Sequence, residues 1–129
     1  MTSAVPEPSD ELVADVFSRA CPSRHLMETI VGKWGTLALV ALTEGSYRFN
    51  ALRRRVDGVS EKMLAQTLHA LERDGLVTRD VQATIPPRVE YTLTPTGATI
   101  AAKLVELIEV VEASVPDALA AQAVYERRG

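Results

Sequence analysis

Apolar positions along the chain follow helical spacing for most of its length and switch to strand alternation once, near residue 76. Leu12, Val13, Val16 and Phe17 form a stripe behind Ser9 or Asp10 as a cap. They predict a first helix over about 9–20, after a frayed tail at 1–8 that holds two prolines. Cys21-Pro22 interrupts this pattern. Ser23 then caps a second helix, with Leu26, Met27 and Ile30 available to a core, until Gly32 breaks it. From Lys33 to Glu44 the run Leu37–Leu42 is apolar on all sides, which predicts a central buried helix closed by Gly45. Ser46–Phe49 reads as a short extended piece. Asn50 caps a helix through about Val56, with Leu52 and Val56 inward, and Asp57-Gly58 marks a turn. Ser60 opens another helix, which Gly75 ends. Its residues Leu64, Leu68 and Leu71 share one narrow face.

Leu76–Val81 and Arg88–Leu93 then lean to strand, the second placing Val89, Tyr91 and Leu93 on one face. Pro86-Pro87 confines the segment between them to a loop. Thr94-Pro95 starts the last long helix, with Ile100, Leu104, Leu107, Ile108, Val111 and Val115 in one stripe. Pro116 is expected to restart a short terminal helix. Two helices around a tight turn, followed by a hairpin, outline a mainly α winged helix-turn-helix in one domain over 9–129. Val105 and Val110 lie off the last stripe, so apolar surface exceeds what one small domain must bury. Helices at about 9–20 and 95–126 are therefore expected to dimerise it, a twofold being the commonest oligomer.

Composition removes several classes. The 129 residues are 47% hydrophobic and 24% charged, ordinary for a globular chain. Cys21 is the single cysteine, so no internal disulfide can form, and neither His25 nor His69 has metal-ligand spacing. No metal or other cofactor is expected. A glycine-rich phosphate loop, paired carboxylates in an apolar setting and a nucleophile–base pair are all missing, which argues against an enzyme. The longest uncharged apolar run, Trp34–Thr43, is too short to span a bilayer. The first residues lack a basic and an apolar signal region, so the cytoplasm is the expected location.

Charge distribution changes the picture more than the net value of −3 does. Residues 46–93 carry net +2, and Ser46–Val56 holds Arg48, Arg53, Arg54 and Arg55 with no acid. Such asymmetry locates a surface facing a polyanion. Opposite the leucine face of the Ser60 helix stand Lys62, Gln66, His69 and Arg73. Gln can pair bidentately with adenine and Lys can reach guanine, while Ser60 and the helix start suit a phosphate. An isolated helix with this face would merely be solvated; its place after a turn and an arginine cluster, and before a wing, favours DNA. Arg53, Arg54 and Arg55 span too wide an arc to meet one duplex together, so one should form a surface ion pair. Arg48, Asn50 and Arg88 complete the expected DNA-facing set.

The segments CPSRHLMETIVGKW, YRFNALRRRVDGVSEKMLAQTLHALERDGLVTR and IPPRVEYTLTPTG resemble the HxlR-type family of winged-helix regulators, relatives of the MarR group. The resemblance covers roughly Cys21 to Gly97. It implies a small bacterial homodimer on a palindromic DNA operator, with Lys62 and Gln66 in the recognition helix and Arg88 in the wing. Two departures stand out: Val31 replaces the usual glycine before GKW, and a longer acidic N-terminal segment precedes Cys21. Cys21 matches the cysteine that redox-sensing members use, which implies control by an oxidant or electrophile through Cys21. A lone cysteine is more often a small buried hydrophobe. A small-molecule effector in place of thiol oxidation, and a winged helix serving protein contacts, are the competing readings.

Overall fold

The computed structural model describes residues 15–128. The expected tail at 1–8, the caps Ser9 and Asp10, and residues 9–14 of the first helix lie outside them. Five helices and one hairpin follow: α1 Pro22–Val31, α2 Gly35–Leu42, α3 Phe49–Arg55, α4 Glu61–Arg73, β1 Val77–Gln82, β2 Arg88–Leu93 and α5 Pro95–Arg128. No helix among the described residues is long and apolar enough to cross a membrane.

Residues 15–20 do not continue a helix. They run as turns, with Ser18 N–H donating to Asp15 and Cys21 N–H to Ser18. Pro22 holds Cys21 in an extended conformation, which no helix could pass through. For the same reason α1 is capped two residues ahead of the expected Ser23. Cys21 is its N-cap, and Pro22 takes the first helical position, where a missing N–H costs nothing. Met27 is exposed and Leu26 only half-buried, so Ile30 alone of the three expected residues is buried.

α2 is shorter than Lys33–Glu44 and not buried on every side: Ala38, Leu39, Ala41 and Leu42 enter the core while Leu37 faces out. Gly35 permits the close crossing of α1 and α2, because a Cβ there would collide with the Thr29 carbonyl oxygen. Arg48, not Asn50, caps α3, leaving Asn50 exposed in its first turn. Leu52, Val56 and Val59 bury against Leu64, Leu68 and Leu71 of α4, as the leucine spacing predicts.

At the end of α4, Gly75 (φ +77°) adopts the left-handed conformation. Its N–H donates to Glu72 at 3.1 Å and Leu76 N–H to Leu71 at 2.9 Å, satisfying two terminal carbonyls and turning the chain into β1. The hairpin is antiparallel from Val77↔Leu93 to Gln82↔Arg88. Tyr47 bridges Tyr91 through two backbone bonds of 3.1 and 2.8 Å, so the extended piece after α2 adds a third, very short strand.

α5 runs unbroken through Pro116, where a restart was expected. Every residue from Glu109 to Arg128 is exposed, so water can solvate the carbonyl that proline leaves unpaired. Of its apolar stripe, Leu104 is buried and Ile100 and Ile108 are half-buried. Leu107, Val111 and Val115 are exposed.

Candidate nucleic-acid interface

α3, the Val56–Ser60 turn and α4 form the helix-turn-helix, with the β1–β2 hairpin as wing. Ser60 caps α4 by accepting the Met63 N–H at 3.0 Å. That bond fixes the start of the helix, and the buried leucines fix its rotation. Lys62, Gln66, His69 and Arg73 are consequently all exposed.

Ion pairing divides the basic residues into two groups. Arg55 holds Glu44 through two bonds, Nε–Oε1 at 2.8 Å and Nη2–Oε2 at 2.6 Å. The Tyr47 hydroxyl donates to the same carboxylate at 2.7 Å. The Arg55 guanidinium first and the Tyr47 hydroxyl second hold Glu44 down to about 2, and Tyr47 is pushed up in return. Arg55 is thus the ion-paired member expected among the three consecutive arginines. Arg48, Arg53, Arg54, Lys62 and Arg88 form no ion pair among the described residues. Arg48, Asn50 and Arg54 line one cleft of about 450 Å³ with Pro87 and Val89 of the wing, so α3 and the wing present these groups together.

Arg73 does not join this group. Its guanidinium grips Asp74 at 2.9 Å, at the far end of α4, and holds that carboxyl below its usual range. It faces Pro22, His25 and Leu26 of α1 across a separate cleft. The bonding partner is the next residue, so the sequence carried the signal. Lys33, which the sequence reading left out, lines a cleft of about 320 Å³ with Trp34, Gln66 and Thr67. Its ammonium sits 4.9 Å from the Trp34 ring centroid. The Lys-Trp pair just ahead of α2 was the available sign.

Cys21 is 2% exposed, and its Sγ lies 3.1 Å from the Ser23 hydroxyl. That hydroxyl, followed by the backbone amides of Ser23 and Arg24, holds the thiol below its ordinary pKa against the opposing effects of burial and Asp15. The Arg24 guanidinium itself binds Glu28 at 3.2 Å and the Phe17 carbonyl at 3.1 Å.

A capped helix with an exposed polar face, unpaired arginines beside it and a hairpin wing define a winged helix-turn-helix, DNA-binding transcriptional regulator. A family model described as HxlR-like helix-turn-helix matches residues 29–118, and the chain belongs to that family. It is 47% identical over 106 residues to the HTH-type transcriptional regulator YtfH of Escherichia coli (strain K12), covering 82% of this chain and 84% of that one. Among solved structures it is similar to the transcriptional regulator ytfH from Salmonella typhimurium, at 46% identity and a TM-score of 0.76. That match covers 82% of this chain and 95% of the other. The redox regulator HypR in its reduced form shares 34% identity and a TM-score of 0.69, over 78% and 98% of the two chains. Its oxidised form shares 35% and 0.66, over 72% and 96%.

Proposed function

We propose that the chain is a transcriptional repressor that binds a pseudo-palindromic operator as a homodimer. The observation that carries this reading is the set of cations on the helix-turn-helix and wing that form no ion pair among the described residues, Arg48, Arg53, Arg54, Lys62 and Arg88, of which Arg48 and Arg54 share one cleft with the wing, while Arg24, Arg55 and Arg73 pair with acids. Lys62 and Gln66 read base edges, with His69 on the same face. Arg48, Asn50, Arg53, Arg54, Arg88 and the start of α4 at Ser60 hold phosphates. Two copies joined through the exposed apolar half of α5 would set their recognition helices about one helical turn, on the order of 34 Å, apart.

Binding to promoter fragments, followed by fluorescence anisotropy across a salt series, tests this. Gln66→Ala should relax preference at one position per half-site by about 1–3 kcal/mol. Arg54→Ala should weaken all sequences alike and flatten the salt dependence. Unchanged specificity in Gln66→Ala would mean that another face of α4 meets the bases.

A second reading, favoured by the depressed Cys21 thiol, adds oxidant control. Two Cys21 thiolates of a dimer, or one and a small thiol, form a disulfide while an added oxidant accepts the two electrons. Cys21 is buried, so the α1 start must open, and the bond would move the two recognition helices. Diamide should release the operator from wild type and not from Cys21→Ser. Equal behaviour of both proteins removes Cys21 as the switch and leaves a small-molecule effector as the signal.

A further inference from the structure

The wing ends in a tip whose chemistry differs from everything around the interface. Val81–Pro87 (VQATIPP) carries no charge and is bounded by Asp80 and Arg88. Ile85 stands at 102% exposure, and Val81 is exposed as well. No core position explains an isoleucine there.

The tip is also braced. Thr84 N–H donates to the Gln82 carbonyl at 2.9 Å, and the Thr84 hydroxyl donates to the Pro86 carbonyl at 2.7 Å. Pro86 and Pro87 each fix one backbone angle, so Ile85 is presented on a stiff loop that loses little freedom on binding.

Charge decides which part of the wing can approach DNA. Asp80 and Glu90 are directly opposed across the strands and share one face of the hairpin with Gln82 and Arg88, Arg88 lying at the tip end of that face beyond the two acids. The other face carries Val81 opposite Val89, and Val89 lines the cleft that holds Arg48, Asn50 and Arg54. The shaft therefore turns its acids away from the cleft that holds Arg48 and Arg54, and Arg88 stands between those acids and the neutral tip. A neutral apolar tip gains nothing from phosphates. It fits the floor of a minor groove, where apolar side chains wedge between base steps and kink the duplex.

We propose that Ile85 is an apolar wedge that enters the minor groove beside each operator half-site and bends the DNA, with Arg88 on the adjacent backbone. This rests on the DNA-binding reading above. The wedge displaces no counterions, so its contribution is independent of salt, unlike that of the arginines.

The experiment compares the full-length wild type, Ile85→Ala, Ile85→Asp and Arg88→Ala on one promoter duplex. Affinity is read by anisotropy over a salt series and bending by energy transfer between end-labelled strands. Ile85→Ala should bind about tenfold more weakly at every salt concentration, with the slope against salt unchanged and less bending. Ile85→Asp should be weaker still, while circular dichroism shows both folded. Arg88→Ala should instead reduce the slope by about one. Wild-type affinity and bending in Ile85→Ala would overturn the wedge. So would altered self-association of the free protein, which would make the tip a protein contact. Failure of the wild type to bind any duplex would overturn the DNA-binding reading itself, before any variant is compared.

Discussion

Glu44 decides which of three consecutive arginines stays at home. Its carboxylate accepts both Arg55 bonds and the Tyr47 hydroxyl, tying the end of α2 to α3 and to the strand that bridges Tyr91. A carboxylate held below its unfolded pKa stabilises the fold above that unfolded value and loses the contribution as pH falls through the folded one. For Glu44 the contribution is complete above about 4.5 and gone near about 2. Glu44→Gln should therefore unfold at a lower temperature than wild type at neutral pH, and the two midpoints should converge as pH drops through that window. Thermal unfolding followed by circular dichroism across the pH range checks it; a constant gap down to the acid limit would assign the difference to packing instead.

At the scale of elements, the seat of α5 on the hairpin depends on backbone touching backbone. Thr94 N–H donates to the Leu76 carbonyl at 3.0 Å, and the Thr94 hydroxyl donates to Gly75 and accepts from Gly97. A Cβ on Gly97 would collide with that same Leu76 carbonyl oxygen, leaving no side chain that could yield. Gly97→Ala should force α5 off β1 and cost about 3–4 kcal/mol, the upper range for a single substitution. A urea midpoint close to wild type would show that the helix start can shift freely. α4 and α5 differ instructively here. α4 is held by three buried leucines and by satisfied ends, whereas α5 buries only Gly97, Ala101 and Leu104 and then leaves the core.

For the whole molecule, the proposed dimer rests on the outer half of α5. Leu107, Val110, Val111, Val115 and Leu119 are all exposed, and a concentration of large apolar side chains on one stretch of helix is what a partner surface would cover. Val111→Glu with Val115→Glu places two charges one turn apart on that surface. The variant should sediment as a monomer and lose operator affinity at least tenfold, since half-sites would then be bound singly. Its winged domain should remain folded, because neither residue reaches the core. A variant that stays dimeric would place the interface elsewhere on the chain.

Helix and strand spacing, the Ser60 cap, the Gly75 stop and the Leu64–Leu68–Leu71 face were legible along the chain, because each depends on residues within one or two turns of each other. With the resemblance in GVSEKML and PPRVEYTLT, they sufficed for the winged helix-turn-helix and for the exposed polar face of α4. Periodicity alone overestimated α2 and divided α5 at Pro116, since local pattern does not say whether a proline's lost bond is buried or wet. The choice among Arg53, Arg54 and Arg55 was illegible in principle: three identical neighbours are distinguished by Glu44, eleven residues from Arg55 and brought to it by the packing of α2 on α3. The Lys33–Gln66 cleft and the forbidden Cβ at Gly97 have the same origin. Local preference is written in neighbours along the chain, whereas free charge, close approach and exposure are set by distances through space, which exist only once the chain has folded.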